Sequence, residues 1–407
     1  VKRRAPDPGL RPRRAFGPIA RAVAAAVLLL ASTVIGGVLV EAGARLVLDP
    51  ADYLSVTTVP DDVLGIRVAP GSGGFDSWGF RNRGIPASAE IVAIGDSHTY
   101  GNNATLSESW PAVVGTLTGR TVYNLGLGGY GPNQYFHLLA TRAFRLKPRL
   151  VICGLYMGDD FENAFLMTYG KAAWAELRSA ERSGVDAQIW QTPDASSWHQ
   201  RARVWLSQHS IVYRLLAHGP IAGRLKALVQ IGKPGQAEDA ATTSLIVPGA
   251  GIREAFRPVS IRDRLDQGSP AVREGMRITF ELLGRMDRAC REHGCRLLLV
   301  VIPTKETVFA EYLLGDPNVR LRDAVADVVE HERVARERLM AFLDTARIPY
   351  VDTLAALRSQ ASGQLYTRSD RDMHPGRNGY RVIGQAVAEY LERASGRELV
   401  AGQGPSR

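Results

Sequence analysis

Three cysteines in 407 residues rule out a disulfide framework, and none of their spacings matches a zinc site. Cys153 lies inside an apolar run and reads as a small core residue. Cys290 and Cys295 flank a helix end at Gly294, where a disulfide can form in an oxidising compartment if the Cβ atoms face each other. The chain has no G-x-S-x-G elbow, no P-loop, no internal repeat and no heptad seam, which removes the better-known serine-hydrolase and nucleotide signatures. Gly126, Gly128 and Gly131 literally match the dinucleotide fingerprint G-x-G-x-x-G. However, residues 132–158 contain no Asp or Glu to hold a ribose, so the match is read as accidental. Excess basic charge is also scarce outside one end. Of the formal +9, seven Lys and Arg against Asp7 place +6 in the first 21 residues, which sets nucleic acid aside as a partner. With 45% hydrophobic and 22% charged residues the chain is globular, large enough for one large core or two modest ones.

Residues 22–40 form an uncharged stretch of 19, about 28 Å as a helix, which roughly matches a bilayer's hydrocarbon core. The reading is a single-pass membrane anchor. Its basic flank keeps residues 1–21 as a cytoplasmic tail and places residues from about 41 onward on the far side. A cleaved signal peptide is the competitor, although this run exceeds the usual apolar region of such peptides. Residues 41–89, rich in Gly and Pro, read as a juxtamembrane linker and domain edge. The domain proper is placed at 90–395, with a C-terminal tail at 396–407.

From residue 91 the pattern becomes regular. Strands are expected at 91–94, 121–124, 150–155, 296–302 and 349–352, with helices near 111–119, 133–146, 272–292, 322–346 and 376–394. Short buried strands alternating with helices predict an α/β fold, a three-layer α/β/α sandwich with a mostly parallel sheet. The alternation breaks at about 161–268, a stretch holding Trp174, Trp190, Trp198 and Trp205. It reads as an insertion over the sheet and the expected source of substrate selectivity, with a packing excursion as the alternative.

Two places carry the chemistry. Gly95-Asp96-Ser97 stands directly after the first strand, so Ser97 is aimed out of the sheet's carboxyl edge, where open α/β sheets put ligands. The same residues also suit a simple helix cap. A hydroxyl nucleophile needs a base. His374 stands out among eight histidines because Pro375 and Gly376 hold it in a loop before a helix, with Asp372 within reach to orient its ring. Asp370 is a rival orienting carboxylate, and His98 reads as pocket wall or as a satisfied structural histidine. The glycines after the second strand fit a loop that brings a backbone N–H close to an oxyanion.

These residues resemble the SGNH (GDSL-type) hydrolases, over about residues 90–160 and 295–395. Ile-Gly95-Asp96-Ser97-His98-Thr-Tyr-Gly is similar to the first block, whose serine is nucleophile and oxyanion donor. Asn124-Leu-Gly-Leu-Gly-Gly129 is similar to the second, which implies Gly129 N–H as an oxyanion-hole donor, and Asp372-x-His374 is similar to the last. The Asp-x-His spacing and the segment Ile302, Pro303, Thr304, Lys305, Glu306 are similar to membrane-associated members and to relatives that O-acetylate exopolysaccharides. The implied fold is flavodoxin-like. The third block departs from the pattern: Gly158-Asp159-Asp160 stands where the family has Gly-Asn-Asp. The oxyanion position of the usual asparagine therefore falls to Asp159, which cannot donate when ionised. Protonation of Asp159 by burial, substitution by Asn163, and a slow or inactive enzyme are the three explanations.

The expectation is a serine esterase in which Ser97 attacks, His374 takes the proton, Asp372 steadies His374, and Ser97 and Gly129 N–H groups hold the oxyanion. The substrate would be an O-acyl, first of all O-acetyl, ester on an envelope glycan or lipid, with no cofactor and no metal. An O-acyltransferase acting on an exported polysaccharide and a non-catalytic envelope or glycan-binding protein are the alternatives.

Overall fold

In this computed structural model the described residues are 17–180, 197–218, 242–247, 249, 251–361, 364–366 and 372–401. Nine strands occur among them: β1 (Thr58–Asp61), β2 (Gly65–Val68), β3 (Ile91–Ile94), β4 (Val122–Asn124), β5 (Leu150–Tyr156), β6 (Thr243–Val247), β7 (Ile252–Phe256), β8 (Arg296–Ile302) and β9 (Tyr350–Asp352). Five make the central sheet in the order β4-β3-β5-β8-β9, every pair parallel. The chain therefore starts near the middle, steps outward to β4, and returns past its start to β5. The reversal places a crevice beyond the carboxyl ends of β3 and β5, the point where such sheets bind ligands.

Alternation along the strands sorts the core into two layers. Val92, Ile94, Val151, Cys153, Leu155, Leu297 and Leu299 join one cluster with Leu138, Met286 and Leu339. Ile91, Ala93, Ile152, Leu298, Val300 and Ile302 join the other with Trp110, Val114, Ile383 and Val387. Side chains on a strand point to opposite faces in turn, and both faces here are apolar because both are covered by helices. Helices Pro132–Thr141 and Pro270–Glu292 lie on the first face. Helices Trp110–Thr118 and Arg377–Ala401 pack together on the second. The fold is the mixed α/β sandwich that the alternation predicts.

Local chemistry explains where some elements stop. Helix Trp110–Thr118 has Pro111 in its first turn and ends at Gly119, whose φ of 67° suits a residue without a Cβ. The helix expected over 133–146 stops at Thr141, and Ala143–Leu146 is a 3₁₀ turn. Lys147 stands before Pro148, and a residue before proline is disfavoured in the helical region; it adopts φ 52° instead.

Helix Pro18–Val47 is long and apolar enough to cross a membrane and has no buried residue. It runs past the uncharged stretch 22–40 at both ends, because Arg21, Glu41 and Arg45 are compatible with helix. Within 41–89 the chain forms a short helix, Pro50–Tyr53, and the hairpin β1–β2. Leu64, Val68, Phe75 and Phe80 are buried in the first core cluster, and the buried Arg81 pairs with Asp52 at 2.6 Å. In the expected insertion, helix Asp160–Gly170 packs on Pro270–Glu292, helices Trp198–His209 and Ile211–His218 follow, and β6 and β7 form a hairpin. Trp190 and Asp370 lie outside the described residues. Cys153, Cys290 and Cys295 are buried free thiols, and Cys290 and Cys295 are hydrogen-bonded to each other without a disulfide.

Candidate active site

Ser97 opens the four-residue helix Ser97–Tyr100 immediately beyond β3, with Asp96 capping it by accepting from His98 N–H. Three glycines leave room for this turn. A Cβ at Gly95 would stand 2.0 Å from Thr99 Oγ1, one at Gly154 would stand 2.4 Å from it, and one at Gly126 would stand 2.4 Å from Tyr100 N. Asp96 thus fills the cap position, and Ser97 stands half-buried at the tip of the turn, where the sequence places the expected nucleophile.

From 277 residues away, the loop before the last helix brings in His374, the expected base. His374 Nε2 lies 2.7 Å from Ser97 Oγ, and its Nδ1 lies 2.6 Å from Asp372 Oδ1. Asp372 also accepts from His374 N–H at 2.9 Å, which locks the carboxylate and the ring into one small turn. Asn103 Nδ2 donates to the other oxygen of Asp372 at 2.6 Å, and Asn102 Nδ2 sits 3.4 Å from His374 Nε2. Neither asparagine was singled out from the sequence; their closeness to Asp96-Ser97 was the available signal.

The electrostatics favour a charged Asp372 beside a basic His374. Burial raises the Asp372 carboxyl, but hydrogen bonds from His374, its charge and Asn103 outweigh this and hold it at about 2. Burial likewise opposes the His374 imidazolium, yet Asp372, with Asp96 and Asp159 behind it, raises the pKa above the usual value. His98 is different: it is fully buried, bonded to Asp96 Oδ2 at 3.0 Å, stacked on Tyr156 at 3.8 Å, and its pKa is lowered, first by burial. Its ring lies 4.7 Å from that of His374, so it forms a wall behind the base.

The oxyanion candidates lie across the crevice. A Cβ on Gly128 would be 3.7 Å from Ser97 Cβ, whereas one on Gly129 would meet nothing, so the loop passes beside Ser97 and Gly129 faces open space at φ 79°. Among the described residues neither Ser97 N–H nor Gly129 N–H is committed to another group. Asp159 caps helix Asp160–Gly170 beyond β5, with Oδ1 inaccessible and unpartnered. Burial first, and the neighbouring Asp96 charge next, raise its carboxyl to about 7 against the opposing pull of Arg264. Asp96, Asp159 and Asp160 bring carboxylate oxygens within 4.8 Å of one another. Three such groups cannot all ionise there. Asp96 keeps the charge beside His98, while Asp160 is pushed up by burial and accepts from Tyr135 Oη and Tyr156 N–H. Asn163, one turn into the same helix, makes no side-chain hydrogen bond among the described residues. It lines a cleft of about 340 Å³ with Gly128, Gly129, Leu64, Ile66 and Leu166.

A serine, a histidine and an aspartate in hydrogen-bonded sequence at the switch point of a parallel α/β sheet are the parts of an acyl-transfer site. Residues 265–405 match the family model described as the SGNH hydrolase-like domain of acetyltransferase AlgX. That segment contains Asp372 and His374 but not Ser97. Over 143 residues the chain is 28% identical to the "Probable alginate O-acetylase AlgJ" of Pseudomonas putida, a match covering 35% of this chain and 31% of that protein. The chain therefore spans about a third of that curated relative. Two solved structures are similar at low identity. An extracellular lipase from Streptomyces rimosus is 12% identical, over 75% of this chain and 99% of that one, with TM-score 0.38. A GDSL-like lipase from Bacteroides thetaiotaomicron is 12% identical, over 76% and 93%, with TM-score 0.35. At those scores the fold rests on the strand order above. The C-terminal third of the chain is thus similar to the SGNH hydrolase-like domain of an acetyltransferase, and 143 residues of the chain to a probable alginate O-acetylase.

Proposed function

We propose that this chain is a membrane-anchored serine enzyme that removes O-acyl groups, first of all acetyl, from an envelope glycan or lipid through an acyl-Ser97 intermediate. The observation that carries the reading is the continuous line from Ser97 Oγ to His374 Nε2 at 2.7 Å and from His374 Nδ1 to Asp372 at 2.6 Å. Ser97 Oγ attacks the ester carbon and its proton passes to His374 Nε2. The tetrahedral oxygen is held by Ser97 and Gly129 N–H, and His374 returns the proton to the departing sugar oxygen. Water then attacks the acyl-serine and gives a proton to His374, which passes it to Ser97 Oγ as the acyl C–O bond breaks, releasing the carboxylic acid and restoring the free serine and neutral His374.

Asp159 fits this scheme as a neutral acid. With its carboxyl at about 7, a protonated Asp159 donates a hydrogen bond where the family's asparagine would, and Asn163 supplies an amide donor lining the cleft. Both points favour turnover over a purely binding role. A second reading is favoured by the relatives' names: the same intermediate passes its acyl group to a sugar hydroxyl instead of water, making the protein a polysaccharide O-acyltransferase.

Mass analysis of an acetylated or unacetylated bacterial exopolysaccharide incubated with the protein separates these readings. Loss of acetyl with release of acetate supports hydrolysis, and gain on the unacetylated glycan from an acetyl donor supports transfer. Either must disappear in Ser97→Ala. No change in either direction by folded wild type contradicts both.

A further inference from the structure

Helix Trp198–His209 displays an apolar stripe to the outside. Trp198, Ala202, Trp205 and His209 recur at spacings of four, three and four, which on a helix falls within an arc of about 60°. All four are exposed, Trp198 at 81% and Trp205 at 58%. The Trp205 ring stacks on His209 at 4.8 Å, so the stripe is ordered yet unburied. The next helix, Ile211–His218, adds exposed Leu215 and Leu216. No acidic residue occurs over 197–218, whereas Arg201, Arg203 and Arg214 do. Lone exposed hydrophobics need no explanation, but two tryptophans and two leucines on adjoining helices do.

The depth of this patch is fixed by its attachment. Glu41 is the first charged residue after the uncharged stretch 22–40. Its carboxylate accepts from Ser210 Oγ at 2.9 Å, Ile211 N–H at 3.0 Å and Val212 N–H at 3.1 Å, and Arg45 Nη2 donates to His209 O at 2.7 Å. Further in, Arg214 Nε donates to Tyr53 O at 2.9 Å and Ser55 N–H to Ser207 O at 2.9 Å. The junction of the two helices is therefore bonded to the place where an apolar membrane span would meet water. Tryptophan concentrates at that boundary, and the exposed Arg201, one step round the helix from the stripe, complements anionic head groups.

We propose that helices Trp198–His209 and Ile211–His218 lie in the head-group interface of an anionic bilayer, with Trp198 and Trp205 inserted, forming a second membrane contact that fixes how the catalytic crevice faces the membrane. The inference rests on reading Pro18–Val47 as a membrane span. It is independent of the chemistry at Ser97.

The test uses the full chain in nanodiscs of phosphatidylcholine and phosphatidylglycerol, with lipids brominated high on the acyl chains as quenchers of tryptophan emission. Emission of wild type falls on brominated lipid, and the fall shrinks in Trp198→Phe/Trp205→Phe. In Arg201→Gln the fall is smaller on the anionic discs and moves toward the value on pure phosphatidylcholine. An equal fall in wild type and the tryptophan variant, or none in either, overturns the proposal. So does cross-linking of the stripe to a second copy in place of quenching. A chain that does not co-elute with nanodiscs overturns the membrane-span reading and the proposal with it, while leaving the serine chemistry to its own assay.

Discussion

Two groups of buried acids lie along the carboxyl edge of the same sheet, and their neighbours make them different things. Beyond β3 and β5, Asp96, Asp159 and Asp160 gather around Ser97, His98 and His374, next to an open cleft. Beyond β8, Glu306 and Glu332 are wholly buried with Lys305, whose ammonium lies 2.6 Å from Glu254, donates to Ala255 O at 3.1 Å, and sits 5.2 Å from the rings of Phe256 and Tyr366. There Glu332 accepts from the Thr304 and Thr307 hydroxyls, and Glu306 accepts from Arg257 N–H at 2.9 Å. The second cluster carries its own cation and clamps the hairpin β6–β7 to the sheet. In the first, the compensating charge is a histidine that can gain and lose a proton. Perturbed carboxyls alone do not mark a site; a nucleophile and a titratable base within hydrogen-bond reach do.

Substitutions can break this contrast. The largest effect is expected for Ser97→Ala or His374→Ala, each abolishing ester turnover, on the order of 10⁶-fold in kcat, with the melting temperature little changed. Stopped assays on an acetyl ester together with thermal denaturation check both halves. For Lys305→Met the prediction is reversed. Leaving Glu254 buried without its cation should cost about 3–5 kcal/mol of stability, while active-site titration shows normal turnover per folded molecule. Lys305→Met/Glu254→Gln should recover part of that loss.

The pH profile sharpens the first cluster. Turnover requires neutral His374, so it rises with pH through the raised His374 value. In wild type it falls again as Asp159 ionises near 7, and both limbs belong to the coupled pair. Asp159→Asn should remove the falling limb and raise turnover above neutrality; an unchanged alkaline limb would detach Asp159 from the oxyanion. Asp372, held at about 2, is lowered relative to its unfolded value. Its contribution to stability is therefore full above about 4 and is lost as pH falls from there toward 2, a loss that Asp372→Asn should not show. The smallest effect is expected for Asn103→Ala, which frees one oxygen of Asp372. It should lower kcat by about tenfold at unchanged KM and shift the acid limb downward, with Asn103→Asp failing to restore either.

Much of this was legible in the sequence because it is local. Short apolar runs bounded by turn residues located the five parallel strands, and Ser97, Asp372 and His374 stood out because glycine, proline and a carboxylate flank them within a few positions. What was not legible depends on partners far along the chain. Lys305 and Glu254 are separated by 50 residues of hairpin and helix, so nothing near either announces the pair. Asn103 reaches Asp372 across 269 residues, and the stacking of Tyr156 on His98 follows from the register of β3 against β5. The attachment of Glu41 to residues 210–212 is of the same kind: the apolar stretch was visible, but not what holds its outer end.

The central claim is that Ser97 is an activated nucleophile, and a fluorophosphonate probe on the full chain tests it most directly. Wild type should label, Ser97→Ala and His374→Ala should not, and Asp159→Asn should label faster than wild type above neutral pH. Folded wild type that does not label at any pH between 6 and 9 would contradict the account.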